Sequence, residues 1–274
     1  MKLKFFILLL IGQSIYVSAF QLDTLVIESH SMDKQISNLV ILPDDYNSQN
    51  ISFPVVYLLH GAGGDYTNWV TKVPAIKAYA DTHNIIIVCP DGGVTSWYFD
   101  SHIDPSMKYE TYISQELINA VDQSYRTIAN NKARAITGLS MGGHGAFYLA
   151  FKHPDIWGAA GSMSGGLDLR PFPNNWDLAK RLGSQAENSE RWTQHSVINM
   201  VYLLDGKNLK LIFDCGVDDF FYDANQRLHQ KLVERRIPHD YIERPGRHNW
   251  DYWNNAINYQ LLFFNDFFKT AITD

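Results

Sequence analysis

The chain of 274 residues is poor in cysteine, holding only Cys89 and Cys215, so at most one intramolecular disulfide is open to it. Positive charge is also scarce. Lys and Arg number 23 against 29 Asp and Glu, a net charge of −6, which excludes the basic face of a nucleic-acid binder. After the first twenty residues no apolar run is long enough to cross a bilayer. Internal repeats and low-complexity tracts are missing as well. What remains is 46% hydrophobic and 19% charged, the balance of a soluble globular enzyme, and its length suits one large α/β domain. The 14% of aromatic residues is read first as packing and second as lining for a substrate cleft.

The first twenty residues differ from the rest. A basic head, Met1-Lys2-Leu3-Lys4, precedes an unbroken apolar run from Phe5 to Ile11, and Val17-Ser18-Ala19 offers small residues for signal peptidase. This reads as a signal peptide over 1–19, cut before Phe20, with one α/β domain over 20–274. Export to the periplasm or medium follows, without stable membrane insertion after cleavage. No cysteine follows the cut, which argues against a lipid anchor.

Continuous apolar runs at 54–59 and 85–88 fit strands buried on both faces. Further strands are expected at 24–28, 36–42, 134–137, 157–163, 209–213 and 240–243. Helical spacing is found at 73–82, 109–128, 224–235 and 250–268, and in the stretch that runs to residue 151. Buried strands alternating with helices predict a mostly parallel, twisted sheet of about eight strands with helices on both faces. The polar stretch 167–205 lacks a clear strand and is expected to be either a helical cap over the active site or a surface excursion. Cys89 and Cys215 end strands about four strand spacings apart, roughly 19 Å, too far for a disulfide. Two buried free thiols are expected.

Gly138-Leu139-Ser140-Met141-Gly142 sits between a predicted strand and a predicted helix. That is the context of a nucleophile elbow, in which a strained turn lifts a serine hydroxyl off the sheet edge and the helix N-terminus favours developing negative charge. A serine hydroxyl needs a base, and the base needs an orienting carboxylate. On an α/β-hydrolase sheet the chain order is Ser, acid, His. Of the histidines after the elbow, which include His153, His229 falls in a helix, His239 opens a strand and His195 lies in the 167–205 insertion. His248 lies in Pro245-Gly246-Arg247-His248-Asn249-Trp250, between the last strand and the last helix, where a catalytic base belongs. His144, one turn beyond Ser140, is read as structural. For the acid, Asp214, Asp218, Asp219 and Asp223 all lie near the end of the preceding strand, and spacing does not choose among them. The oxyanion hole is expected from the backbone N–H groups of Met141 and Ala62, the latter in the glycine-rich loop His60-Gly61-Ala62-Gly63-Gly64. Gly61 is expected to border the substrate. This loop lacks the Lys-Ser/Thr ending of a phosphate-binding loop.

Leu58-Leu59-His60-Gly61-Ala62-Gly63-Gly64, Gly138-Leu139-Ser140-Met141-Gly142-Gly143-His144-Gly145-Ala146, Cys215-Gly216-Val217-Asp218-Asp219-Phe220 and Gly246-Arg247-His248-Asn249-Trp250 together resemble the esterase D-type family. That group includes S-formylglutathione hydrolases, tributyrin esterases, feruloyl and acetylxylan esterases, and mycolyltransferases. The resemblance runs from Leu42 to Phe268. It implies an α/β-hydrolase fold with a Ser-Asp-His triad whose acid falls four residues after the cysteine of the Cys-Gly motif, which here is Asp219. It also implies a substrate-side loop at Asp91-Gly92 and Ser96-Trp97-Tyr98, where Trp97 either stacks on a sugar or aromatic acyl group or packs under the loop.

The expected reaction is two-step acyl transfer from a small-molecule or polysaccharide ester, with Ser140 as nucleophile and His248 as base, and with no metal and no organic cofactor. An exported enzyme suits short-chain acyl, acetyl or feruloyl esters of carbohydrates better than a glutathione thioester. An acyltransferase to a sugar hydroxyl on the same triad is the alternative. A carbohydrate-binding protein on a dead hydrolase scaffold is the third reading.

Overall fold

A computed structural model describes residues 21–273, and the expected signal peptide over 1–19 lies outside the described residues. The strands are β1 (Gln21–Ser29), β2 (Lys34–Leu42), β3 (Val55–Leu59), β4 (Ile86–Pro90), β5 (Arg134–Gly138), β6 (Ala159–Met163), β7 (Lys210–Gly216) and β8 (Asp240–Arg244). They form one sheet in the order β1-β2-β4-β3-β5-β6-β7-β8. The β1–β2 hairpin is antiparallel, β2 pairs antiparallel with β4, and every pairing from β4 to β8 is parallel.

The helices are α1 (Asn68–Lys72), α2 (Ile76–His83), α3 (Tyr109–Thr111), α4 (Ile118–Ser124), α5 (Met141–Lys152), α6 (Leu178–Leu182), α7 (Ser189–Gln194), α8 (Tyr222–Glu234) and α9 (Trp250–Thr273). They cover both faces of the sheet, which is why β3, β4, β5 and β6 are buried at every position. Alternate side chains of β3 serve two separate cores. Val55, Tyr57 and Leu59 join a core with Phe147, Phe151 and Trp157 on one face. Val56 and Leu58 join the other, beneath Trp69, Val73 and Ile76 of the α1–α2 region and Ile257, Leu261 and Phe264 of α9. Each of those large apolar side chains contributes roughly 1.5–3 kcal/mol by leaving water. Cys89 and Cys215 stand on β4 and β7, four strand positions apart, as two buried free thiols. Burial pushes the Cys89 thiol up to about 12.

One expectation is corrected. The helix read over 109–128 ends at Ser124, and Tyr125 is extended. The reason is a backbone partner that spacing does not reveal: Phe53 N–H donates to Arg126 O, and Ile128 N–H donates to Phe53 O. The same helix carries a π-helical stretch at Tyr112–Leu117, which buries Tyr112 with its hydroxyl donating to Asn38 Oδ1. The stretch 167–205 has α6, α7 and two 3-10 turns and no strand, as expected. It is anchored by Leu167, Leu169, Leu178, Leu182, Trp192 and Val197, all buried in the first core.

β3 and the start of α5 cross at close range. A Cβ at Gly142 would lie 2.6 Å from the carbonyl oxygens of both Leu59 and His60, and one at Gly138 would lie 2.7 Å from Leu59 O. These are backbone atoms in a central strand and have no room to yield. Alanine is the better helix former by about 1 kcal/mol. Gly142→Ala should nevertheless destabilise the fold by roughly 1–3 kcal/mol through overpacking. A urea titration should show a lower midpoint, and an unchanged or higher one would refute the contact.

Candidate active site

Ser140 occupies the turn between β5 and α5 with φ 56° and ψ −116°, a conformation that costs a non-glycine residue energy. The turn is fixed from three sides. Ser140 N–H donates to Met163 O at 2.9 Å, while Ser140 O accepts from His144 N–H at 3.0 Å and from Gly166 N–H at 3.3 Å. The side chain is thereby held at the carboxyl edge of the parallel sheet.

The next two groups arrive on loops from β7 and β8. Val217 N–H donates to Arg244 O, and Asp218 N–H donates to Gly246 O, so the loops are stapled backbone to backbone. They approach closely because both carry glycine: a Cβ on Gly216 would stand 2.4 Å from Gly246 O. Gly246, at φ 151°, also has Tyr252 against the position of its missing Cβ. This junction sets His248 beside both Ser140 and Asp219. His248 Nε2 is 2.9 Å from Ser140 Oγ, and His248 Nδ1 is 2.8 Å from Asp219 Oδ2. The second carboxylate oxygen of Asp219 accepts from Phe221 N–H at 2.8 Å. A carboxylate only accepts, so Nδ1 carries the proton and Nε2 presents its lone pair to the serine hydroxyl. Trp253, Phe221 and Phe220 surround the imidazole, with ring centroids 4.9, 5.4 and 4.2 Å away.

The other candidates are engaged elsewhere. Asp214 is fully buried on β7, accepting from Gln260 at 2.8 Å and paired with Arg244 at 3.3 Å. Burial outweighs these partners and raises its carboxyl to about 6. Asp218 and Asp223 face solvent. His153 is held by Glu110, His195 Nδ1 by Arg191 O, and His229 by His239. His144 is wholly buried between the carbonyls of Trp97 and His195, and burial lowers its pKa to about 4.

Gly61 packs against Ser140, since a Cβ there would lie 3.4 Å from Ser140 Cβ. Among the described residues, no hydrogen bond from the Ala62 or the Met141 amide to a protein acceptor is formed. Trp97 takes the second of its two expected places. It is only 1% exposed, its indole N–H donates to Trp176 O, and its ring meets His144 edge-on. With no accessible face it does not present a stacking surface. The rim carries two aromatics with no role assigned from the sequence, Phe220 exposed and Trp176 half-buried. Phe220 is 52% exposed, and Trp176, from the 167–205 segment, stacks on it at 5.7 Å and 21°. Adjacency to Asp219 was the one available signal for Phe220; nothing local marks Trp176.

A separate hollow of about 830 Å³ lies between the C-terminal half of α9 and the start of β7 and β8, lined by Gly158, Ile212 and Phe267. It contains none of the groups above and lies at the opposite end of the sheet.

An eight-stranded, mostly parallel sheet with an elbow serine, a histidine after the last strand and an acid after the strand before it is an α/β-hydrolase. The chain belongs to the esterase family, whose model, described as "Putative esterase", matches residues 29–264. An esterase of Mycobacterium tuberculosis is 30% identical over 235 residues, 76% of this chain and 51% of that protein. The chain thus spans about half the length of that relative. An acetyl esterase of Caldicellulosiruptor saccharolyticus is 24% identical over 256 residues, 84% of this chain and 92% of that protein. Among solved structures, a ferulic acid esterase superposes with a TM-score of 0.79 at 27% identity, covering 91% of this chain and 98% of the other.

The two neighbouring aspartates differ enough to be separated by experiment. Asp219→Asn should lower kcat/KM for a simple aryl ester by roughly 10²–10⁴ through loss of the imidazole tautomer. Asp218→Asn should stay close to wild type. The reverse order in steady-state kinetics would assign the acid to Asp218.

Proposed function

We propose that the protein is an exported serine esterase that cleaves carboxylic esters through an acyl-enzyme. The observation that carries this reading is the continuous hydrogen-bonded chain Ser140–His248–Asp219 at the open edge of the sheet. In the reading, His248 Nε2 removes the Ser140 proton as Oγ attacks the ester carbonyl. The tetrahedral oxyanion is stabilised by the amides of Ala62 and Met141 at the N-terminus of α5. The imidazolium, held by Asp219, returns the proton to the leaving alcohol. Water then attacks the acyl-serine with His248 again as base, releasing the acid and restoring the hydroxyl. Neither step calls for a metal or an organic cofactor.

For the substrate we propose acetyl or feruloyl esters of carbohydrates. Two kinds of support converge. Relatives include an acetyl esterase and a ferulic acid esterase. Phe220, exposed beside His248 and backed by the half-buried Trp176, offers an apolar face on which an aromatic ring or the apolar side of a sugar would rest. Export rests on the signal-like residues 1–19.

A panel of acetyl, butyryl and feruloyl esters together with acetylated xylan, run on wild type and Ser140→Ala, tests the proposal. Wild type should release acid from the acetyl and feruloyl members, and the variant should lose about 10³-fold or more. Product appearing mainly as a transferred ester when a sugar acceptor is added would turn the reading to an acyltransferase. Binding of xylan fragments without turnover would turn it to a carbohydrate-binding scaffold.

A further inference from the structure

One buried imidazole takes no part in the mechanism proposed above. His60 is 1% exposed, at the junction of β3 and the glycine-rich loop. Both of its ring nitrogens have partners, and those partners fix its state. Gly92 N–H lies 2.8 Å from Nε2 and has only a hydrogen to offer, so Nε2 is the bare nitrogen. The ring proton therefore sits on Nδ1, which is 2.8 Å from Gly61 O and donates to it. Gly61 O accepts a second bond from Gly64 N–H at 3.1 Å. Burial lowers the pKa of this imidazole, which keeps it neutral and preserves the arrangement at ordinary pH.

The consequence lies on the far side of one peptide unit. Gly61 C=O and Ala62 N–H belong to the same planar group, and in a trans peptide they point in opposite directions. Whatever holds the carbonyl therefore aims the amide. With Gly61 O turned toward the His60 ring and Gly64, the Ala62 N–H is directed away from them and finds no protein acceptor among the described residues. Gly61 itself abuts Ser140 Cβ. The imidazole is held in turn: Tyr98 OH donates to His60 O at 3.1 Å, and the Tyr98 ring meets the His60 ring edge-on.

We propose that His60 is a positioning residue for the oxyanion hole, its Nδ1–H fixing the Gly61–Ala62 peptide so that the Ala62 amide meets the charge formed on the substrate carbonyl oxygen. This rests on the esterase reading above. The role requires no exchange of the His60 proton during turnover. It acts on the transition state, where the oxygen becomes an anion, more than on the bound ester.

Two substitutions separate the ring's two ends. In His60→Asn the side-chain NH₂ stands near the place of Nδ1, keeping the donor to Gly61 O and giving up the acceptor for Gly92. In His60→Gln the side-chain oxygen reaches the place of Nε2, keeping the Gly92 acceptor and giving up the donor. The inference predicts that Gln lowers kcat by roughly 10–10²-fold with little change in KM, and that Asn recovers most of the loss. It also predicts that Gln narrows the preference for an oxygen ester over the matching thionoester, since sulfur takes less from hydrogen-bond donors. Retention of kcat in Gln with loss in Asn, or equal loss in both with the ester-to-thionoester ratio unmoved, overturns the proposal. Nitrogen-15 NMR of the wild-type ring needs no variant: the Nδ1–H tautomer supports the proposal and the Nε2–H tautomer overturns it. If wild type cleaves no ester at all, it is the esterase reading that fails, while the tautomer measurement still decides the geometry.

Discussion

Everything at this site depends on how closely the first turn of α5 lies against the end of β3. Because Gly142 has no side chain, the helix settles onto the carbonyls of Leu59 and His60. One contact thereby does two things. It forces the chain at Ser140 into a left-handed turn that exposes Oγ, and it brings the glycine-rich loop that follows β3 to the flank of that oxygen. The strain at Ser140 is offset by a well-packed surround, since α5 is buried along its length and Ser140's own N–H and C=O are both bonded. The hydroxyl is presented by rigid elements of the core, not by a mobile loop.

The opposite wall is built by a second close approach, between Gly216 and Gly246. It joins the loop bearing Asp219 to the loop bearing His248, so the two side chains travel together. A hydrogen bond formed within such a pair needs little reorganisation when the imidazole gains charge. The aromatic side chains around His248 exclude water from its flanks, while Phe220 remains half open and extends the apolar surface toward Trp176.

Much of this was legible in the residues. The apolar runs at 54–59 and 85–88 announced doubly covered strands, and glycines bracketing Ser140 announced an elbow, because each pattern has one dominant physical cause. The separation of Cys89 from Cys215 followed from strand order. The residues that were harder to read depend on contacts distant in sequence. The helix after Tyr109 stops at Ser124 because Phe53, far upstream, pairs with the backbone at 126–128. The family resemblance left Trp97 either against the substrate or packed under its loop, and the fold decides for the second: Trp97 and Tyr98 both have positive φ, and the buried Trp97 indole donates to Trp176 O. Among four aspartates near one strand end, spacing alone could not choose, and the family pattern named Asp219. The fold gives the physical difference: Asp219 turns in toward the imidazole, Asp214 into the sheet, and Asp218 and Asp223 out to water. His60 was visible only as the residue before a run of glycines; its tautomer emerges from partners on two loops.

In the proposed reaction Ser140 Oγ itself carries the acyl group between the two steps. Mixing the protein with excess p-nitrophenyl acetate, quenching in acid within the first turnover and mapping peptides by mass spectrometry measures this directly. The account predicts one acetyl group per chain, on the peptide containing Ser140, formed together with a burst of nitrophenolate. Steady hydrolysis with no acetyl on that serine, or with acetyl accumulating only on another side chain, would contradict it.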